Sequence, residues 1–261
     1  ETDYWLGYVE GAMKIEVDVS SERGPLDTET GTISDLRVKH VVENVFWREG
    51  DRSGIAATGA IAAALGLSGP AAGMAMMSAE EMAEPVTRVE FRLGETQVEG
   101  LLWNWPFSEG DRVKVVGKRV EDGKFFALSV LDENKRLIVS YPHVSSGSWA
   151  HWIGVMKYTL MFSLPSAALY VLVAGFGSIN ETPWDWSSLR RFFYIFLSCV
   201  SVSCFIGIRI GSRFTRYARM ADAIFKSLGW VNGKYLNLRR ITNLKKRAGD
   251  HPALGDTYFR Y

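Results

Sequence analysis

Cysteine is scarce in this chain, and the residue types that usually hold metals or perform nucleophilic catalysis are scattered. The two cysteines, Cys199 and Cys204, lie five positions apart in one uncharged stretch, where they cannot form a disulfide with each other. None of the four histidines is paired with another at metal-ligand spacing. The sequence contains neither a glycine-rich phosphate loop nor a Gly-x-Ser-x-Gly turn. These absences give no support for a disulfide-stapled secreted fold, and they predict a non-enzymatic protein without metal or other cofactors.

Charge is absent from two long stretches in the second half of the chain. Positions 158–179 carry no charged residue over 22 positions, and positions 192–208 carry none over 17. A helix that crosses a bilayer needs about 20 apolar residues, with about 17 as the lower limit. The pattern predicts a transmembrane hairpin within residues 149–213, with helices at about 154–178 and 191–211. Pro165 is expected to kink the first helix, and Gly207 permits close packing by the second.

Positive charge is concentrated directly after the second stretch. Between positions 209 and 247 there are eleven Lys or Arg residues and one acid, Asp222. Because Lys and Arg beside a membrane helix mark its cytoplasmic side, we expect an inner-membrane protein with both termini in the cytoplasm. Residues 214–261 are accordingly predicted to form a basic cytoplasmic tail. The helical spacing of four arginines predicts contact with anionic lipid, and a partner or nucleic-acid site is the alternative: Arg209, Arg213, Arg216 and Arg219.

Tryptophan residues flank the predicted hairpin at both ends. Trp149 and Trp152 precede the first helix, and Trp184 and Trp186 precede the second. Tryptophan is enriched where a membrane meets water. The four residues therefore predict an interfacial belt on each side of the bilayer.

Short alternating segments separated by turn residues occupy most of the first half. They predict strands at 32–38, 41–47, 86–93, 97–103, 112–119, 125–130 and 137–140, with a further half-exposed strand at 13–19. Strands of this length and spacing are typical of a small antiparallel barrel, and the hairpin after 111–117 is common in oligonucleotide/oligosaccharide-binding (OB) barrels. The sequence predicts an α+β membrane protein in which residues 1–148 form an OB-like cytoplasmic domain.

An uncharged insert interrupts the predicted barrel at residues 54–79. It contains ten Ala and five Gly residues, and each half is too short to span a membrane. One interpretation is a buried helical hairpin, and the other is a hairpin that enters the membrane or packs in an oligomer. Its glycines would permit close helix packing in either case: Gly54, Gly59, Gly66, Gly69 and Gly73.

Two motifs carry a resemblance to a known family. Residues 99–116 include Trp103-Asn104-Trp105-Pro106-Phe107, and residues 137–152 include Tyr141-Pro142-His143. With the order of strand pair, Ala/Gly insert, small barrel and two membrane helices, residues 31–225 resemble a proteobacterial family of two-helix membrane proteins labelled type VI secretion system effectors. The resemblance implies a place in contact-dependent bacterial competition and assigns no catalytic residues.

Three classes of function remain open from the sequence. The first is a resident immunity or accessory protein that binds a toxin or a secretion component, or that self-associates. The second is a membrane-inserting, pore-forming effector, and the third is a membrane-tethered barrel that binds an oligomer such as RNA. A toxin entering from outside would have to carry eleven cations or the barrel across the bilayer, which favours the resident protein. Nucleic acid is the least favoured partner, because the aromatic residues near 103–107 lie beside acids and not beside Lys or Arg.

Overall fold

The computed structural model describes residues 26–43, 84–120, 123–178 and 185–261, together with the single residues 60, 63, 64 and 72. The predicted strand at 13–19, Trp184 and the five glycines of the 54–79 insert lie outside the described residues. The elements with defined bounds are β1 (Asp27–Glu43), β2 (Glu84–Leu93), β3 (Thr96–Leu102), β4 (Arg112–Arg119), β5 (Phe125–Asp132), β6 (Leu137–Ser140), α1 (Ser148–Ser178), α2 (Trp186–Ser227), a 3-10 turn (Gly233–Tyr235), α3 (Leu238–Lys245) and β7 (Tyr258–Arg260).

Five of the strands close into a barrel. β1 pairs in antiparallel fashion with β2 and β4, β2 with β3, and β4 with β5, while a parallel pairing of β3 with β5 closes the ring. A glycine suits the closing pair, because a Cβ on Gly100 would lie only 3.0 Å from both the Cβ and the carbonyl oxygen of Ala127. β6 and β7 extend the sheet beyond β5. The predicted α+β fold with a small barrel is therefore confirmed.

The first strand differs from the prediction. Strands at 32–38 and 41–47 were expected, but one strand spans Asp27–Glu43, and its early residues pair with β4 while its later residues pair with β2. The register shifts between Ser34 and Arg37, and Asp35 there has a φ of 52°. A bulge of this kind bends a strand without ending it. The bend lets one strand serve two neighbours, and this is why the expectation of two strands is wrong.

The barrel has an inner core and an outer core. The inner core is made of side chains that point between the strands, such as Val89, Phe91 and Phe125, all at most 1% exposed. The outer core lies between the sheet and the C-terminal half of α2, where Tyr217 and Phe225 are likewise buried against residues such as Leu128. Because both cores share the same sheet, the helix and the barrel form one packed unit.

Residues of the segment 214–261, which was predicted to be a basic tail, pack against the barrel. Beyond α2, Phe259 in β7 is buried in the outer core, and β7 pairs with β6. Arg260 donates two hydrogen bonds to Asp250, at 2.8 and 3.1 Å, and this pair holds the pKa of the Asp250 carboxyl down at about 2. Apolar residues such as Met220, Ile224 and Leu238 lie among many Lys and Arg residues in the sequence. A count of charge alone therefore does not predict that this segment packs in the outer core.

The two long helices form an antiparallel hairpin that projects from the barrel unit. Both are long and apolar enough to cross a bilayer. They are longer than predicted, because α1 begins at Ser148 and α2 begins directly after Asp185, whose side chain accepts a hydrogen bond from the Ser188 backbone N–H. α2 then continues without interruption into the outer core. Large apolar side chains cover the outside of the hairpin, among them Phe162, Phe176 and Phe205, which are 66%, 73% and 70% exposed.

Candidate functional site

The packing surface between α1 and α2 is made of small residues. A Cβ on Gly211 would lie 2.8 Å from both γ carbons of Val155, and a Cβ on Gly207 would overlap the side chain of Thr159. The two glycines are four positions apart and so lie on one face of α2. Small residues at this spacing let helix backbones approach closely, as is common in membrane helix pairs. The structure thus places Gly207 where the sequence predicted it, in the packing between the helices.

Pro165, which was expected to kink the first helix, does not lie in this packing surface. Pro165 is exposed and lies within α1, which is assigned as one helix from Ser148 to Ser178. The next residue, Ser166, donates from Oγ to the carbonyl oxygen of Phe162, one turn earlier, at 2.7 Å. Gly211, which the sequence analysis did not single out, is buried between the helices. The spacing of Gly207 and Gly211 was the signal that could have identified it.

The predicted arginine stripe has two different environments. Arg209 and Arg219 are exposed, and Arg213 is half-buried. Arg216 instead turns to the barrel unit, where its guanidinium carbon lies 4.6 Å from the centre of the Tyr217 ring and its Nη2 donates to the Tyr217 hydroxyl at 2.6 Å. Arg216 therefore has a structural partner, while Arg209 and Arg219 stay accessible to an anionic surface.

The described tryptophans lie at opposite ends of the hairpin. Trp149 is in the first turn of α1, 55% exposed, and stacks on Tyr235 with ring centres 5.9 Å apart. Trp152 is half-buried, and its ring centre lies 5.6 Å from that of His151. Trp186 begins α2 and is 87% exposed. Since α1 is about 46 Å long at 1.5 Å per residue, the two ends are far enough apart to lie at the two faces of a bilayer.

The two motifs quoted in the sequence analysis meet at a histidine. The ring centre of His143 lies 5.0 Å from that of Trp103, 5.2 Å from Tyr217 and 6.1 Å from Phe214. His143 follows Pro142 and has a φ of 66°, a conformation that histidine tolerates better than most residues. We call these four residues the His143 cluster. It joins the loop after β3, the linker after β6, and α2.

Charge in the His143 cluster is balanced across the β1–β2 pair. Glu43 and Glu84 are directly opposite each other in the register, an arrangement that is unfavourable for like charges. Arg88 donates to Glu43 at 2.5 Å, and His143 Nε2 lies 2.9 Å from Glu84 Oε2. Burial lowers the pKa of His143, and Arg216 and Arg239 lower it further, while Glu84 acts in the opposite direction. The neutral ring is therefore the form that the folded protein favours.

The aromatic residues of the first motif are engaged in the barrel. Trp105 packs with Phe91 and Phe107 at ring-centre distances of 5.4 and 5.2 Å, and Phe107 is 5% exposed. Asn104 donates from Nδ2 to Thr257 Oγ1 at 3.0 Å, which ties the motif to the C-terminal segment. These contacts close one end of the barrel, and they leave Trp105 and Phe107 unsuited to stacking on the bases of a nucleic acid.

The group in the His143 cluster that can titrate near neutral pH is the imidazole of His143, and it packs against Phe214 and Tyr217 of α2. No group of three or more His, Cys, Asp or Glu that could hold a metal occurs within the described residues. The sequence analysis gave His143 no role of its own and missed Glu84, Phe214 and Tyr217. The quoted motifs were a usable signal for two members of the cluster, but their partners on β2 and α2 are distant in sequence.

Comparisons with family models, with curated proteins and with solved structures gave no match for this chain.

Proposed function

We propose that this chain is a resident, non-enzymatic protein of the bacterial inner membrane, with its hairpin across the bilayer and its barrel unit on the cytoplasmic side. The observation that carries the proposal is the continuity of α2. One helix supplies apolar, outward-facing residues such as Phe205 to the hairpin and buried residues such as Phe225 to the barrel core. A hydrocarbon environment would cover the first set, just as the barrel covers the second.

The shared outer core also supports the assignment of the barrel unit to the cytoplasmic side of the membrane. Residues before α1 and after α2 pack in the same outer core, as Leu128 and Phe259 show. Both flanks of the hairpin therefore lie at the same end of it, and the Lys and Arg residues that follow α2 favour the cytoplasm for that end. Only the short connection between α1 and α2 would face the periplasm.

The same feature favours a resident protein over a pore-forming effector. An effector that inserted from the periplasm, and that kept its flanks in the target cytoplasm, would have to carry the whole barrel unit across the membrane. Its outer core joins the barrel strands to α2 and β7, so the unit would have to unfold to pass. A protein inserted by its own cell has no such barrier. Within type VI secretion-linked competition, which rests on the resemblance of the two motifs, we propose an immunity or accessory role in which an OB-like barrel unit binds a protein partner.

The topology test uses cysteine accessibility in cells. In a Cys199→Ala, Cys204→Ala background, one cysteine is placed at Asn180, between the two helices, and another chain carries one at Arg240, on the exposed side of α3. An impermeant maleimide added to intact spheroplasts should label the cysteine at Asn180 and leave the one at Arg240 unlabelled until the cells are lysed. Labelling at Arg240 without lysis would contradict the proposed topology.

The role is tested by expression of the chain alone and with the product of the neighbouring gene. A resident immunity protein should leave growth and membrane potential unchanged when expressed alone, and it should restore growth when the neighbouring product is toxic. Collapse of the membrane potential on expression of the chain alone would establish the pore-forming alternative instead.

A further inference from the structure

A cavity at the base of the hairpin has a polar end and an apolar end. It has a volume of about 570 Å³, within the range of small-molecule sites, and lies between α1, α2, the linker before α1 and the start of α3. Its polar lining includes Ser146, Asn237 and Arg239, and its apolar lining includes Val155, Phe162 and Ile210. We propose that this cavity binds one anionic phospholipid, with the phosphate at Arg239 and an acyl chain along α1 and α2. The inference rests on the proposed function, because only a spanning hairpin places the cavity at the membrane boundary.

The polar end is fixed by backbone pairing. Ser146 and Asn237 form an isolated β-bridge, and the Leu238 N–H donates to the carbonyl oxygen of Ser145 at 2.9 Å. This pairing sets the start of α3, and hence Arg239, beside the first turns of α1. The Arg239 guanidinium is exposed and makes one long hydrogen bond, 3.4 Å, to the carbonyl oxygen of Asp256. A cation held at the mouth of a cavity suits a phosphate group, which arginine binds through charge-assisted hydrogen bonds.

The cavity exists because of the glycines on both helices. A Cβ on Gly154 would meet nothing within 4 Å, so this position faces open space. Gly207 and Gly211 bring the helices together, and His151 Nε2–H donates to the carbonyl oxygen of Gly211 at 2.9 Å. The cavity is therefore bounded by a rigid helix contact and is open on the side of Gly154.

The apolar end identifies the occupant. Phe162 and Ile210 line the cavity and are also 66% and 56% exposed on the outside of the hairpin. A chain that leaves the cavity on this side continues onto the apolar face that we assign to the bilayer core. A membrane lipid satisfies both ends at once, because its headgroup reaches Arg239 while its acyl chain stays in hydrocarbon. A free phosphate would fill only the polar end.

The experiment measures lipid binding by the full chain in a neutral detergent, using native mass spectrometry. Phosphatidylglycerol and phosphatidylcholine with identical acyl chains are titrated separately, and inorganic phosphate is added as a competitor. We expect one phosphatidylglycerol per chain, bound in preference to phosphatidylcholine and not displaced by phosphate. Arg239→Gln should raise the Kd for phosphatidylglycerol about tenfold, as expected for the loss of one charged contact. Gly154→Leu should weaken binding, because its side chain projects into the cavity where Gly154 leaves open space.

Two matched variants control for charge and for helix packing. Arg240→Gln removes the neighbouring cation on α3, which does not line the cavity, and Gly177→Leu adds the same side chain at another open position of α1. Both should bind phosphatidylglycerol like the wild type. Equal affinity for the two lipids, displacement by phosphate, or unchanged binding by Gly154→Leu would overturn the inference. The cysteine test decides the topology separately, so a spanning hairpin without lipid preference removes this inference and leaves the proposed function standing.

Discussion

Gly211 is the position at which the packing of the hairpin can be tested most sharply. Replacement of a glycine inside a helix by alanine gains about 1 kcal/mol of helix propensity. At Gly211 the new methyl group would lie 2.8 Å from both γ carbons of Val155, and overpacking of this kind costs about 1–3 kcal/mol. We therefore expect Gly211→Ala to lose up to about 2 kcal/mol relative to the wild type, the difference between the two effects. Gly154→Ala on α1, where the added methyl group meets nothing, should instead be neutral or stabilising.

The assay is thermal unfolding of the purified full chain in a neutral detergent, followed by circular dichroism. A second substitution separates the clash from other causes, because Val155→Ala removes both γ carbons. In the Val155→Ala background, Gly211→Ala should cost less than it does in the wild type, with a coupling of at least about 0.5 kcal/mol. If Gly211→Ala and Gly154→Ala shift the midpoint alike, or if Val155→Ala gives no relief, the close approach of the helices at this point is not what stabilises the hairpin.

Two further predictions concern the barrel unit. Because the pKa of His143 is lowered in the folded chain, the unfolded chain binds a proton at this residue at a higher pH, and the stability should decrease as the pH falls below about 6.5. His143→Asn, in which asparagine tolerates the positive φ, should flatten this pH dependence in urea titrations at pH 7.5 and pH 5.5. An unchanged pH dependence of the stability would contradict the assignment to His143. A chain in which a short Gly/Ser loop replaces residues 160–206 should be soluble and β-rich, because Thr159 and Gly207 are in contact and a short loop can join them. A fragment that ends at residue 147 should instead aggregate, because it lacks Tyr217, Phe225 and the other α2 residues of the outer core. Solubility of the short fragment would show that the outer core is dispensable.

The barrel strands were largely predictable because their pattern is local. The strands Arg112–Arg119 and Leu137–Ser140 have the predicted bounds, and three others differ from the prediction only at their ends. The two long helices were equally predictable, since the absence of charge over 22 and 17 positions is visible without knowing which segments they contact. In each case, one stretch of sequence carries the whole signal.

The parts that could not be predicted depend on contacts between distant segments. The basic segment 214–261 was predicted to be a tail, but apolar residues such as Tyr217 and Phe259 are buried in the outer core, while Arg219 on the same helix as Tyr217 is exposed. The His143 cluster requires Trp103 and Tyr217 to meet, with Glu84 beside His143, and their sequence separations contain no pattern that predicts this. The same applies to the cavity, whose polar end is set by a bridge between Ser146 and Asn237. Long-range pairing, and not local propensity, forms both candidate sites.

The continuity of α2 connects the two sites physically. The helix is about 63 Å long at 1.5 Å per residue, and it carries Gly211 of the hairpin packing and Tyr217 of the His143 cluster less than two turns apart. In the membrane arrangement that we propose, a shift of the hairpin would displace Phe214 and Tyr217 against His143, because a helix transmits such a movement along its axis. Conversely, a partner that alters the barrel near Trp103 acts on the same helix. A membrane anchor joined through a flexible linker could not couple in this way, so the proposed partner at the barrel and the proposed lipid at the hairpin should influence each other.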